Sequence, residues 1–244
     1  MWLNLASANL IVISLSVLFL CLLSIGFILH STARTEMPYY TVGDRRLPVT
    51  STPREHDVYF WLKEKGFRGA SLLHISRYHD FLTVPKEDEL KLYSRYEYTR
   101  IDIIAEYEKR LEEHNWVWVA VQSNIARKVI TVLPYSRWNE IKDSLSQVRA
   151  GRIEGEWYRV ADRGTPRITT IIDNLEVDEP VLLNVDASYF IDEEPETLFR
   201  MLKDRGVKCV GAALSYVEGI PEEATDRARA RMRKFENMLK GLTS

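Results

Sequence analysis

The feature that most constrains this chain is a stretch without charge at its start. No Asp, Glu, Lys or Arg precedes Arg34, and the segment from Ala8 to Leu29 is almost wholly apolar. As a helix, this segment of about 22 residues would extend roughly 33 Å, which is enough to cross a bilayer core of about 30 Å. The sequence therefore predicts one transmembrane helix over residues 9–29, within an N-terminal membrane anchor at residues 1–33.

A cleaved signal peptide is the alternative for this segment. Signal peptides begin with basic residues and have a shorter apolar core than a membrane-spanning helix. The chain begins Met-Trp-Leu-Asn-Leu-Ala-Ser, with neither Lys nor Arg. The sequence therefore favours an anchor that is retained.

The orientation of the anchor follows from its basic flank. Arg34, Arg45 and Arg46 follow the apolar segment, whereas only the α-amine precedes it. Basic residues favour the cytoplasmic side of a membrane, so we predict a single-pass protein with a cytoplasmic domain. Glu36 and Asp44 reduce this bias, and the opposite orientation stays open.

The rest of the 244-residue chain is long enough for one domain with a full hydrophobic core. Residues 34–53 contain four Pro or Gly residues and no clear periodicity, which predicts a linker before a domain at 54–244. The net charge of −2 gives no electrostatic reason to expect a nucleic-acid partner. Cys21 falls in the predicted anchor and Cys209 in an apolar run, so no disulfide is expected within the domain.

Helical and apolar segments alternate along this domain. We predict strands at 70–75, 116–121, 129–133, 157–160, 167–172, 180–185 and 207–214. The predicted helices are 54–65, 99–114, 136–148, 194–205 and 221–239. Continuous apolar strands between helices indicate an α/β fold, a three-layer sandwich with a mainly parallel sheet. Ligand sites in such sheets lie outside the carboxyl ends of the strands.

Two of these strand ends are polar. The first reads His-Ile-Ser-Arg-Tyr-His-Asp over residues 74–80, and the second reads Asn-Val-Asp-Ala-Ser-Tyr-Phe over residues 184–190. With His56 upstream, these runs resemble motifs of the arginase/deacetylase (ureohydrolase) superfamily, in its arginase-like branch. That resemblance covers roughly residues 54–242. It implies an arginase-like fold and, in the family, a pair of divalent metals that activate a water for hydrolysis.

Three positions of the resemblance keep a residue type that ligates metal in the family. They are His56, Asp80 and Asp186. Imidazole and carboxylate suit Mn²⁺ or Zn²⁺, so these three residues are the candidate ligands of one weakly bound divalent metal. Structural roles are the alternative, because Asp80 and Asp186 could cap turns and His56 could be exposed.

Three other positions have lost their ligands. Ser76 stands where the family has the bridging Asp, Tyr78 where it has a His, and Ser188 where it has a second Asp. Neutral hydroxyls do not compensate the charge of two adjacent dications. We therefore predict that no tightly bound metal pair exists.

Together these features predict a membrane-anchored, catalytically degenerate arginase-like domain that binds an unknown protein or small-molecule partner. The alternative is a single-metal hydrolase of amide or amidine C–N bonds that uses His56, Asp80 and Asp186. A purely structural or assembly protein is a third possibility. In the last predicted helix, basic residues indicate either a solvated face or a contact with anionic lipid.

Overall fold

The computed structural model describes residues 38–78, 100–146, 151–154, 157–162, 165–216 and 222–241. The predicted membrane helix and the candidate ligand Asp80 lie outside these ranges. Within them, no helix is both long and apolar enough to cross a bilayer. The chain divides into two units, and nearly all described residues belong to the one that runs from Tyr39 to Ser244.

The sheet of this unit contains nine strands among the described residues. They are β1 (Tyr40–Thr41), β2 (Val49–Thr52), β3 (Ala70–Ile75), β4 (Ala126–Leu133), β5 (Gly151–Glu154), β6 (Trp157–Asp162), β7 (Thr165–Ile171), β8 (Val181–Asp186) and β9 (Lys208–Ser215). Their order is β1-β9-β8-β3-β4-β7-β6-β5, and β2 also pairs with β9. The strands β2, β9, β8, β3, β4 and β7 run parallel, whereas β1, β6 and β5 pair antiparallel with their neighbours. The predicted α/β fold with a mainly parallel sheet is confirmed.

Helices connect these strands. They are α1 (Asp57–Glu64), α2 (Arg100–Lys109), α3 (Trp116–Gln122), α4 (Tyr135–Ser146), α5 (Pro195–Asp204) and α6 (Glu222–Leu239). Short 3-10 turns follow β7 at Ile172–Asn174 and β8 at Ala187–Ile191. The helices predicted at 54–65, 99–114, 136–148, 194–205 and 221–239 are all present, with shifted ends.

The two faces of β3 have different neighbours because side chains alternate along a strand. Leu73 and Ile75 belong to a buried apolar cluster that α5 and α6 complete through residues such as Leu198 and Phe235. His74 points to the opposite face and lies against the edge of the Trp116 ring of α3, with ring centroids 5.6 Å apart. The helices therefore cover both faces, and His74 lies on the α3 side.

The sequence predicts a strand at 116–121, but this segment forms the helix α3. Its alternation of Trp and Val is typical of a strand, yet every residue from Trp116 to Ala120 is buried. A short helix surrounded by protein has apolar residues on every side, so its sequence lacks the polar face that would identify it. Asn115 stabilises the preceding turn, where it accepts a hydrogen bond from the Glu112 amide and donates one to the Arg110 carbonyl.

The segment predicted as a linker contains two strands among its described residues. Residues 40–52 contribute β1 and β2, which both pair with β9. Gly43 in the turn between them has a φ of +92°, a conformation that glycine adopts without strain. Gly43 therefore belongs to a turn beside the sheet, whereas the Pro48 carbonyl accepts a hydrogen bond from the Ala212 amide of β9.

Candidate functional site

The carboxyl ends of four parallel strands meet at one edge of the sheet. Thr52 of β2 pairs with Ser215 of β9, and Ser215 pairs with Asp186 of β8. Ile75 of β3 pairs with Val185 of β8, so the two polar runs begin on neighbouring strands. The described parts of the two polar runs, residues 74–78 and 184–190, therefore lie side by side.

Ser76 and Ser188 occupy the centre of this edge. Their hydroxyl oxygens lie 3.4 Å apart, and both residues are fully buried. The amide of Arg77 donates to Ser188 Oγ at 3.2 Å, and the amide of Tyr78 donates to Ser76 Oγ at 3.1 Å. Two of the three substituted positions are thus in contact, and their oxygens accept backbone hydrogen bonds.

Asp186 has a structural task at the same edge. It is 1% exposed, and its Oδ1 accepts a hydrogen bond of 2.7 Å from the Ser188 amide. This bond caps the 3-10 turn Ala187–Ile191. Asp186 therefore has the capping role that the sequence offered as the alternative, and its role as a metal ligand stays a prediction.

His56 lies just before α1, close to the carboxyl end of β2. Its side chain is 16% exposed, and its Nε2 lies 4.0 Å from Asp57 Oδ1. The His56 side chain is therefore more buried than expected under the alternative interpretation, in which this histidine is exposed. The ring lines a surface pocket of about 270 Å³, whose other lining residues are Leu111, Glu112, Glu113 and His114.

The sequence analysis did not identify a row of buried polar side chains that extends from this edge into the protein. Glu55 is 3% exposed, and its Oε1 lies 3.8 Å from Nε2 of the fully buried His74. On the other side of the ring, His74 Nδ1 is 2.7 Å from Asn184 Oδ1. The signal was present in the sequence, since His74 and Asn184 are polar residues inside otherwise apolar strands.

The hydrogen bonds of Asn184 determine the tautomer of His74. The Asn184 Nδ2 group donates to the Ala213 carbonyl at 3.2 Å, which directs the amide oxygen at His74. An amide oxygen only accepts, so His74 Nδ1 carries a proton. The other ring nitrogen, Nε2, then faces the carboxylate of Glu55. A carboxylate and an imidazole are thereby placed together in a site from which water is excluded.

Charged groups form the rim of this edge. Arg77, which follows Ser76, makes an ion pair with Asp192, which follows the turn after β8. Next to it, burial raises the pKa of Glu193 above its ordinary value. The rim thus carries both signs of charge around a centre of neutral hydroxyls.

Two observations on the described residues bear on metal ligation. Among the residues that the structure describes, no three His, Cys, Asp or Glu side chains form a group that could hold a metal ion. Asp80 is outside those residues, so a single weak site at His56, Asp80 and Asp186 stays a prediction. The described residues do not fit a two-metal centre, because Ser76 and Ser188 contribute neutral oxygens at its middle.

The fold and the site define a mixed α/β domain with a mostly parallel sheet and a buried polar cluster at its carboxyl edge. No protein-family model matches the chain, and no curated protein matches it. Among solved structures, the chain is similar to an arginase from Medicago truncatula, with a TM-score of 0.40 and 10% identity over 81% of this chain. This chain spans 60% of the length of that arginase chain.

Proposed function

We propose that this chain is a membrane-anchored, catalytically degenerate arginase-like protein, whose carboxyl-edge site binds a protein or small-molecule partner. The observation that carries the proposal is the contact between Ser76 and Ser188, whose hydroxyls lie 3.4 Å apart. By the motif resemblance, these positions hold carboxylates in metal-dependent relatives. Two neutral hydroxyls in mutual contact do not compensate the charge of metal ions, so recognition of a partner falls to the charged rim formed by Arg77 and Asp192.

The remaining acidic group supports the same proposal. Asp186 uses Oδ1 to cap the turn that carries Ser188, so part of its hydrogen-bonding capacity stabilises the protein itself. Burying two dications requires several anionic ligands, and this edge offers fewer than the motif of the metal-dependent relatives. An edge of this composition keeps a charged rim around a buried polar centre while losing the means to acidify a water.

The alternative function is a single-metal hydrolase of amide or amidine C–N bonds. One observation favours it: the topology brings His56, which follows β2, and Asp186, which ends β8, to the same edge of the sheet. With Asp80, they would supply two carboxylates and one imidazole. One metal bound to water could act as a Lewis acid there.

Metal analysis of the full-length protein in detergent separates the two functions. We expect no metal pair after dialysis, and at most weak calorimetric binding of Mn²⁺ or Zn²⁺. The matched variants are Asp80→Ala and Asp186→Asn, the second of which removes charge but keeps an oxygen to cap the turn. If two equivalents of metal are retained, the degenerate site is wrong. If one equivalent is retained and both variants lose it, the single-metal hydrolase becomes the better proposal.

A restored site provides the complementary test. A triple variant that changes Ser76→Asp, Tyr78→His and Ser188→Asp rebuilds the family motif, and we expect it to gain metal binding. A control that changes Ser123→Asp adds a carboxylate at the end of α3, away from the motif. Equal metal binding by the control and the triple variant would show that the motif positions do not form a metal-binding arrangement.

The binding role needs its own experiment at the rim. Arg77→Glu reverses a charge beside the site without touching the buried row, and the control Arg159→Glu reverses an exposed charge on β6. After photocrosslinking in native membranes, we expect a crosslinked species that the Arg77 variant loses and the Arg159 variant keeps. Identical crosslinking patterns for the wild type and the Arg77 variant would argue against recognition at this edge.

A further inference from the structure

A group of basic and aromatic side chains lies around β1, where the described part of the chain begins. We call it the β1 face and define it by Tyr39, Tyr40, Arg45, Arg46 and Lys208. The pairing of Thr41 with Lys208 joins β1 to the start of β9. The ammonium of Lys208 lies 5.0 Å from the centroid of the Tyr39 ring, and the guanidinium of Arg46 lies 5.7 Å from that of Tyr40.

The members of this face are accessible. Tyr39 is 52% exposed, although most large aromatic residues of the unit are buried. The Arg46 side chain is 79% exposed, and Arg45 and Lys208 are exposed as well. An aromatic ring flanked by cations at an exposed edge is a combination that interfaces of membrane proteins use, because such rings prefer the headgroup level.

The charge of the β1 face is positive although that of the whole chain is −2. Its cations are Arg45, Arg46 and Lys208, and the carboxylate of Asp44 pairs with Arg46 at 2.8 Å. The Arg46 side chain holds the pKa of Asp44 down at about 2, so Asp44 stays ionised at neutral pH and offsets one of the three charges. A net positive face remains, and it complements a negative partner.

The position of the face in the chain indicates which negative partner it meets. The apolar segment that we propose as the membrane anchor ends at Leu29, ten positions before Tyr39. Ten residues span at most roughly 33–36 Å even when fully extended. Tyr39 and its neighbours are thus held within a short distance of the bilayer surface, where anionic headgroups are concentrated.

We propose that the β1 face binds the anionic lipid headgroups of the membrane that holds the anchor, with Arg45, Arg46 and Lys208 against headgroup phosphates and carboxylates and Tyr39 at the interface. This inference rests on the proposed membrane anchor and goes beyond it, because an anchor alone does not orient the domain. Each basic residue near an anionic surface changes binding by about fivefold. The contact therefore fixes which side of the domain faces the lipid.

The test uses the full-length protein in nanodiscs of phosphatidylcholine, with or without phosphatidylserine. A fluorophore is placed on Thr41→Cys in a Cys21→Ser background, since Thr41 is exposed whereas Cys209 is buried. Headgroup-labelled quencher lipid then reports how close β1 lies to the bilayer. We expect stronger quenching with phosphatidylserine, and loss of that increment at about 1 M salt, where the Debye length is about 3 Å.

Charge variants complete the experiment. Arg45→Glu with Lys208→Glu should abolish the phosphatidylserine increment, whereas the control pair Arg159→Glu with Lys109→Glu, at exposed positions of β6 and α2, should keep it. The neutral pair Arg45→Gln with Lys208→Gln should give an intermediate increment. Equal quenching with and without phosphatidylserine, or equal loss in both charge-reversed pairs, would overturn the lipid contact.

This experiment distinguishes a failure of the proposed membrane anchor from a failure of the proposed lipid contact. If the full-length chain does not stay with the nanodiscs during size-exclusion chromatography, the anchor is wrong, and the lipid contact that depends on it is wrong too. If the chain stays but phosphatidylserine does not change the quenching, the anchor stands and the contact of the β1 face alone is wrong.

Discussion

Asn184→Ala should strongly destabilise the unit Tyr39–Ser244. The substitution removes the acceptor of His74 Nδ1–H at 2.7 Å and the donor to the Ala213 carbonyl at 3.2 Å, in a region where both side chains are buried. A typical hydrogen bond contributes about 1 kcal/mol, and a buried donor left without its acceptor costs about 1–3 kcal/mol. We therefore expect the free energy of unfolding to fall by about 2–4 kcal/mol, a large part of a domain's usual stability of about 5–15 kcal/mol.

Urea-induced unfolding measures this loss, and tryptophan fluorescence is a suitable probe because Trp116 packs against His74. The control is Asn139→Ala on α4, where the amide oxygen accepts a bond from the Lys142 ammonium and where we expect a change within about 0.5 kcal/mol. A double-mutant cycle with His74→Ala isolates the pair, and its coupling energy should be about 1–3 kcal/mol. A coupling energy near zero, or equal losses for Asn184→Ala and Asn139→Ala, would refute the reasoning that the buried row holds this edge together.

Three further predictions concern other parts of the unit. Trp118→Ala should lower the free energy of unfolding by about 3–5 kcal/mol in the same assay, because Trp118 is nearly fully buried in α3. Glu193→Gln should stabilise the protein at neutral pH, since burial raises the pKa of Glu193 and so disfavours its charged form in the folded state; thermal unfolding should show the gain vanishing as the pH falls through this raised pKa and below the ordinary value of 4.5. Gly43→Ala should cost more than Gly66→Ala by roughly 1 kcal/mol in urea unfolding, because both residues have positive φ but an added Cβ at Gly43 would lie 3.2 Å from the Phe199 ring whereas Gly66 faces open space.

Most of the fold could be predicted because its signals are local. Strand β3 is a short run of apolar residues, and α6 has an apolar stripe of Ala228, Met232, Phe235 and Leu239 that is fully buried. On its other side, Arg231 and Lys234 make ion pairs with Glu194 and Glu196. These ion pairs give two of the basic residues partners within the protein, whereas the sequence indicated either a solvated face or a contact with anionic lipid.

The predictions that were wrong concern segments whose structure depends on tertiary packing rather than on their own sequence pattern. Helix α3 is buried on every side, so the alternation of Trp116, Val117, Trp118 and Val119 matches a strand although the backbone is helical. Strand β1 has only two residues, and a pairing of that length leaves no periodic pattern in a sequence.

The sequence predicted where the candidate site lies in the fold, but not which of its side chains contact each other. Strand order places Ser76 beside Ser188 as soon as β3 and β8 are known to be neighbours. Glu55 could not be identified in the same way, because it stands in a charged run before α1 and such a run is usually solvated. Only the packing of α1 against the sheet brings its carboxylate to His74.

The buried row and the hydroxyl pair together show which hydrogen bonds stabilise this edge. In a site built around dications, the ions themselves hold the strand ends together through their ligands. At this edge, a direct hydrogen bond connects His74 of β3 to Asn184 of β8, and Asp186 accepts a hydrogen bond from the Ser188 amide within the turn that follows β8. Ser76 and Ser188 then meet across the gap between the two strand ends. Under the function that we propose, direct hydrogen bonds stabilise this edge, and its charged rim, which includes Arg77 and Asp192, is the surface that a partner recognises.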